Sequence, residues 1–200
     1  MELNEILKGH ETLVSWPYKW TELNKGYTDK TLYINVSDNT VKEKPVGSLM
    51  KEKFVGGKGY GLRLLWDGTQ PGTKWDDAEN EIVIASGPVG GITQYSGTGK
   101  SICVSISPQT DSVMDSNVGG YFGPFLKFSG FDALELQGKA SEDVIVFIDG
   151  VNHKVEIFKH LSSPLTVMNW PSCLPKCLQT MKRTKKTWLL CRPALLLISH

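Results

Sequence analysis

The chain reads as an α+β domain dominated by sheet. Three observations point there. Short apolar or alternating runs of five or six residues recur along the first three quarters of the chain. Glycine- and proline-rich turn signals separate them, and the stretches with helical spacing are short. The 200 residues suit one domain, or a domain plus a tail.

The elements follow in order. Residues 1–30 read as an irregular N-terminal arm, with Trp16, Tyr18 and Trp20 packing on the body. Thr31-Leu32-Tyr33-Ile34-Asn35-Val36 and Val41-Lys42-Glu43-Lys44 flank a Ser37-Asp38-Asn39-Thr40 turn, which predicts strand, turn, strand. Ser48 is expected to cap a short helix. Gly56-Gly57-Lys58-Gly59-Tyr60-Gly61 interrupts it, and residues 62–66 resume a helical pattern. Residues 71–80 form a polar loop. Glu81-Ile82-Val83-Ile84-Ala85-Ser86 is a buried strand by its apolar run, ended by Gly87-Pro88-Val89-Gly90-Gly91. Ser101-Ile102-Cys103-Val104-Ser105-Ile106 alternates and predicts a strand. Ser107-Pro108-Gln109-Thr110-Asp111 turns the chain into a short strand over 113–116. A helix is expected over 121–128, strands over 132–137 and 144–149, and an Asp149-Gly150 hairpin into 154–157.

Charge divides the chain. Its 22 basic and 21 acidic residues give a net charge of +1, but every acidic residue lies at or before Glu156. Residues 1–156 hold 15 basic and 21 acidic residues, a net of −6; the last 44 residues hold seven basic and none acidic. Three of the four cysteines (Cys173, Cys177, Cys191) also lie in this tail. Residues 158–200 keep no sustained period of 2 or 3.6, so they read as an irregular basic tail. Out-of-frame translation after Glu156 accounts for the joint change in charge, cysteine and glycine usage; a basic partner-binding extension is the alternative.

Composition excludes several classes. A near-neutral chain argues against a nucleic-acid partner. No apolar run approaches the roughly 20 residues that span a bilayer, and residues 1–9 carry Glu2 and Glu5 rather than a leader's apolar stretch. Four cysteines without a secretory leader predict a reducing, cytoplasmic setting.

The motifs offer backbone rather than side-chain chemistry. Asn117-Val118-Gly119-Gly120-Tyr121-Phe122-Gly123 leaves bare N–H groups that can meet a large polar ligand, with aromatics at helical spacing behind them. A tight turn before a helix is the plain alternative. Gln94-Tyr95-Ser96-Gly97-Thr98-Gly99-Lys100-Ser101 ends like a phosphate-binding loop, but Gln94 replaces the first glycine and a strand follows. Gly57-Lys58-Gly59-Tyr60-Gly61 lacks the dinucleotide spacing and reads equally as a packing turn. Cys173-Leu174-Pro175-Lys176-Cys177 has no well-placed fourth zinc ligand. Cys103 reads as an inert core thiol, and the four histidines form no cluster. No nucleophile–base pair and no paired carboxylates lie near the glycine loops. That profile fits a protein whose chemistry belongs to a cofactor.

Taken together, Phe54-Val55-Gly56-Gly57-Lys58-Gly59-Tyr60-Gly61-Leu62, the 81–91 segment, Ser107-Pro108-Gln109-Thr110, the 117–130 run, Phe131-Asp132 and Gly138-Lys139-Ala140 resemble the aldehyde ferredoxin oxidoreductase family. The likeness covers its N-terminal domain, over residues 31–157. It implies two packed sheets with short helices, forming the base for two pyranopterin dithiolenes that hold one tungsten or molybdenum. It also implies a Mg²⁺ bridging the pterin phosphates, with the Asn117 backbone carbonyl helping to hold it. Gly119 and Gly120 match backbone that lies on the pterin. Lys100 sits where many members have Arg, toward a pterin phosphate, keeping the charge without the bidentate fork. The resemblance implies oxidation of an aldehyde to a carboxylic acid with ferredoxin as acceptor; related members reduce aromatic acyl-CoA thioesters, toward which Ser107-Pro108-Gln109-Thr110 leans. The [4Fe–4S] ligands and the substrate pocket of the family are not recognisable here. The expectation is a truncated relative with part of the cofactor cradle, inactive by itself; a non-catalytic pterin-binding module or an inert fragment is the alternative.

Overall fold

The computed structural model describes residues 10–92 and 94–159 and the backbone of 193–198. In chain order the elements are β1 (Glu11–Pro17), β2 (Lys30–Asn35), β3 (Thr40–Pro45), α1 (Ser48–Phe54), α2 (Lys58–Gly68), β4 (Glu81–Ala85), β5 (Ser101–Ile106), β6 (Val113–Val118), α3 (Phe122–Ser129), β7 (Ala133–Gln137), β8 (Val144–Asp149), β9 (Lys154–Lys159) and β10 (Pro193–Ile198). They build a six-stranded sheet, order β3-β2-β7-β4-β5-β6, and a four-stranded sheet, order β1-β9-β8-β10. The β2–β7 pair is parallel; the other pairs are antiparallel. The expected β-rich α+β class and its two sheets are what the chain forms.

Alternation along the strands sends side chains to two different cores. Leu32, Ile34, Leu134 and Leu136 join Val146, Ile148, Val155 and Ile157 of the four-stranded sheet and Leu126 of α3 in one apolar cluster. From the other face, Val83, Ala85, Val104 and Ala133 join Tyr60 and Leu65 of α2. The middle of the six-stranded sheet is therefore covered on both sides, which explains the apolar run Val83-Ile84-Ala85, while Ile82 stays exposed.

Local differences from the sequence reading have physical causes. The arm is not irregular throughout: β1 pairs with β9, Glu11 opposite Lys159 through Pro17 opposite Lys154. Its partner lies some 140 residues away, so no local signal marks it. Trp16 and Tyr18 do pack on the body, with the Tyr18 ring 4.9 Å from Phe131. Ser48 does not cap α1; Gly47 occupies the cap and no side chain bonds there. The break between α1 and α2 is short, so Gly59 and Gly61 lie inside α2. In the tail, Pro193–Ile198 pairs antiparallel with β8, adding a strand where no period announced one. Among the described residues, no helix is long and apolar enough to cross a membrane.

Gly61 sets how closely α2 lies on the sheet. A Cβ there would overlap the Val104 side chain of β5. Gly61→Leu is expected to cost about 1–3 kcal/mol by overpacking. Urea midpoints of the two chains check this, and equal midpoints would contradict the close approach.

Candidate functional site

Antiparallel pairing gathers the glycine loops at one end of the six-stranded sheet. β4 ends in the 87–91 loop, β5 begins after the 94–100 loop, and β6 ends in the 117–121 run beside the start of β5. The α1–α2 turn reaches the same end, where the Gly57 N–H donates to the Ser86 carbonyl at 3.1 Å. There the packing reading of the Gly57–Gly61 motif is sufficient. A Cβ on Gly59 would overlap the Phe54 carbonyl, and one on Gly61 would overlap Val104.

The loops at 94–100 and 117–121 meet through their glycines. A Cβ on Gly119 would stand 3.4 Å from the Lys100 ammonium, and one on Gly99 would stand 3.2 Å from the Gly120 carbonyl. Lys100, Gly119 and Gly120 are thus neighbours, all exposed. Among the described residues the Lys100 ammonium has no hydrogen-bond or ion-pair partner. Gly120 takes φ +89°, a conformation glycine supplies at low cost. β5 follows Lys100 directly, so no helix continues from this loop and the phosphate-loop reading fails on geometry.

Asn117 is brought to the same place by register. It lies opposite Ile102, next to the Ser101–Val118 pair. The Ser107 N–H bonds the Ser112 carbonyl at 2.9 Å, which sets the phase of this ladder. Bonded pairs recur every second residue, so Asn117 falls at a non-bonded pair and turns its N–H and C=O away from β5. Among the described residues β6 is an edge strand, so that carbonyl faces out of the sheet. Two residues earlier, Asp115 is paired with Lys58 at 2.7 Å, which neutralises the acid nearest to it on the strand.

α3 carries the loop's continuation, and its N-terminal N–H groups lack a side-chain cap. Pro124 sits in the first turn, where no intrahelical N–H is required. Gly130, at φ +105°, ends the helix by donating to Leu126 and Lys127 carbonyls. Behind the helix is a buried charge cluster that sequence reasoning missed. Lys127 and Asp132 pair at 2.6 Å, each side chain 1% exposed. Lys127 also donates to the Gly26 carbonyl at 2.9 Å, and Asp132 accepts from the Thr28 and Asp29 N–H groups. The Tyr18 hydroxyl and Trp20 indole donate to the Ser129 and Phe128 carbonyls. The arm thereby straps α3, and with it the loop. The available signal was a lysine within an otherwise apolar helix, Phe122-Gly123-Pro124-Phe125-Leu126-Lys127-Phe128.

Cys103 is half-buried rather than in the core, and burial pushes its thiol up. Among the described residues no three His, Cys, Asp or Glu side chains converge as metal ligands. Cys173, Cys177 and Cys191 lie outside the described residues. The groups already described at this end include glycine backbone, the Asn117 carbonyl and the Lys100 ammonium. That set suits a large ligand carrying its own metal and anionic groups.

Residues 31–171 match the family described as "Aldehyde ferredoxin oxidoreductase, N-terminal domain", a span running beyond the 157 boundary expected from sequence. A tungsten-containing aldehyde ferredoxin oxidoreductase of Pyrococcus horikoshii is 35% identical over 130 residues, 65% of this chain and 21% of that protein. The WOR-like subunit of an aliphatic sulfonate oxidoreductase from Pyrococcus furiosus is 35% identical over 136 residues, covering 66% and 21%. Among solved structures, the active-site complex BamBC of benzoyl coenzyme A reductase with 1,5-dienoyl-CoA aligns with TM-score 0.68 and 28% identity, over 77% of this chain and 23% of that one. The chain thus spans about a fifth of the length of the curated relatives it matches. By the extent of the family match and the agreement of fold, this chain belongs to the aldehyde ferredoxin oxidoreductase family, through that family's N-terminal domain.

Proposed function

We propose that this chain supplies one face of the cradle for a tungsten bis-pyranopterin, or its molybdenum counterpart, in an oxidoreductase of this family. The observation that carries the reading is the convergence of Lys100, Gly119, Gly120 and the outward Asn117 carbonyl at one end of the sheet. Gly119 and Gly120 would let a pterin lie on the backbone, Lys100 would face a phosphate, and the Asn117 carbonyl would take a Mg²⁺ with its waters. The metal centre, when bound, supplies two-electron redox chemistry; this chain's residues bind and orient it.

The parent reaction is aldehyde to carboxylic acid with ferredoxin as acceptor, which the names of the tungsten-containing relatives support. Further polypeptide, as in those longer relatives, would contribute the [4Fe–4S] cysteines, the remaining pterin contacts and the substrate pocket. The free Cys103 fits a reducing, cytoplasmic compartment. The loss of acidic residues after Glu156 supports a change of reading frame in the tail; the other two frames of the gene past Glu156 should then continue the acidic, patterned sequence. A second reading, reduction of an aromatic acyl-CoA thioester, is favoured by the likeness to BamBC.

The test is to produce the chain in a host that loads a full-length relative and to measure tungsten, molybdenum and pterin per chain. One metal and two pterins per chain are expected. Absence of both metals and pterin, with the relative loaded, would overturn the cradle. The isolated chain is expected to show no viologen-linked turnover of aldehydes or aromatic acyl-CoA; activity would show that it carries more than part of the site.

A further inference from the structure

Away from the cradle, the sheet face beneath α2 holds two fully buried carboxyl groups. Glu81 of β4 and Glu135 of β7 are each 0% exposed. Glu81 lies opposite Gln137 and Val83 opposite Glu135, so both glutamates project to the same face. Glu135 is satisfied by the Thr31 hydroxyl and the Lys44 ammonium. Glu81 is not: among the described residues neither of its oxygens has a donor. Its neighbour Gln137 commits its amide N–H groups to the Gly68 and Glu79 carbonyls, both at 2.8 Å. Gly68, which ends α2, lies so close that a Cβ there would overlap the Glu81 carboxyl.

The charged groups facing Glu81 are Glu135 on β7, Lys44 on β3 and Asp67 on α2. Lys44 is engaged with Glu135, and Asp67 with Arg63 at 2.7 Å. One ammonium therefore serves two buried acids. An ionised carboxylate with no donor is far more costly inside a protein than a neutral one. A proton on Glu81 removes that charge and creates an O–H that can donate to Glu135.

We propose that Glu81 and Glu135 hold one buried proton between them, and that this proton latches the C-terminal turn of α2 onto the sheet, a latch that weakens as pH rises. Burial first, and then the charge of Glu135, push the Glu81 carboxyl up to about 8. In the unfolded chain it ionises near its ordinary value of 4.5. The folded state therefore binds the proton more tightly. The stabilisation is complete below about pH 4.5, declines as pH rises between these values, and is gone above about pH 8.

The full 200-residue chain, unmodified and as Glu81→Gln, tests this through urea midpoints between about pH 5 and about pH 9. Glutamine keeps the volume and cannot ionise. The unmodified chain is expected to lose stability steadily toward pH 8, while the variant's profile over the same window is markedly flatter. Hydrogen exchange at the Thr69 amide, which bonds the Leu65 carbonyl at 3.0 Å, should accelerate with that loss in the unmodified chain only, after correction for intrinsic base catalysis. Should the variant fail to fold, carbon-13 NMR of carboxyl-labelled glutamate in the unmodified chain decides. One glutamate still protonated at about pH 7 is expected. Full ionisation of every glutamate at that pH, or identical pH profiles for the two chains, would overturn the proposal.

Discussion

Replacing Lys127 by methionine is expected to destabilise the chain by about 3–5 kcal/mol, the usual cost of leaving one partner of a buried ion pair uncompensated. The pair is dry, with both side chains 1% exposed. Methionine fills much of the volume but donates nothing. Asp132 keeps its Thr28 and Asp29 N–H donors but loses its countercharge, and the Gly26 carbonyl loses its donor. Against a typical total stability of about 5–15 kcal/mol, such a loss is large. Denaturant unfolding of the two chains measures it. Adding Asp132→Asn to the variant removes the stranded charge and should recover part of the loss, so the effects will not be additive. A loss below about 1 kcal/mol would place Lys127 among ordinary surface lysines and remove the strap from the account.

Lys100→Ala is expected to weaken cofactor retention by roughly 10–100-fold, the loss of a charge-assisted hydrogen bond worth about 1.5–3 kcal/mol. Lys100 is exposed and its ammonium has no partner among the described residues, so folding stability should move by no more than about 0.5 kcal/mol. Gly119→Val should also reduce retention, because a side chain on Gly119 would occupy the space beside the ammonium, where its Cβ alone would lie 3.4 Å away. Lys100→Arg restores the charge and adds a fork suited to phosphate, so it should retain cofactor at least as well. The measurement is tungsten and pterin per chain together with the unfolding midpoint. Unchanged metal content in Lys100→Ala would contradict the role given to that side chain.

The elements that local pattern determines were legible. β2, β4, β5, β7 and β8 follow apolar or alternating runs, and α3 follows an apolar face closed by Gly130. The glycine loops could be recognised as backbone exposed to a ligand, because glycine's missing Cβ is a local property. β1 was missed for the opposite reason: its seven residues are held by β9, at the far end of the domain. The same holds for Lys127 and Asp132, whose further partners lie about a hundred residues earlier, and for Glu81 with Glu135, which only strand register makes neighbours. The pair lies on the α2-covered face of the six-stranded sheet.

By itself the sequence determined the β-rich class, the order of strands β2 to β9 along the chain, and where bare glycine backbone lies. Those properties are written in periodicity and in residue type, which act over a few neighbours. Tertiary structure alone decided that Lys100 stands beside Gly119, that the Asn117 carbonyl faces outward from an edge strand, and that two carboxyl groups meet in the dry layer under α2. Each depends on register and strand order. A shift of one residue reverses every side chain and every carbonyl, and no local signal sets that phase between strands so far apart in the chain.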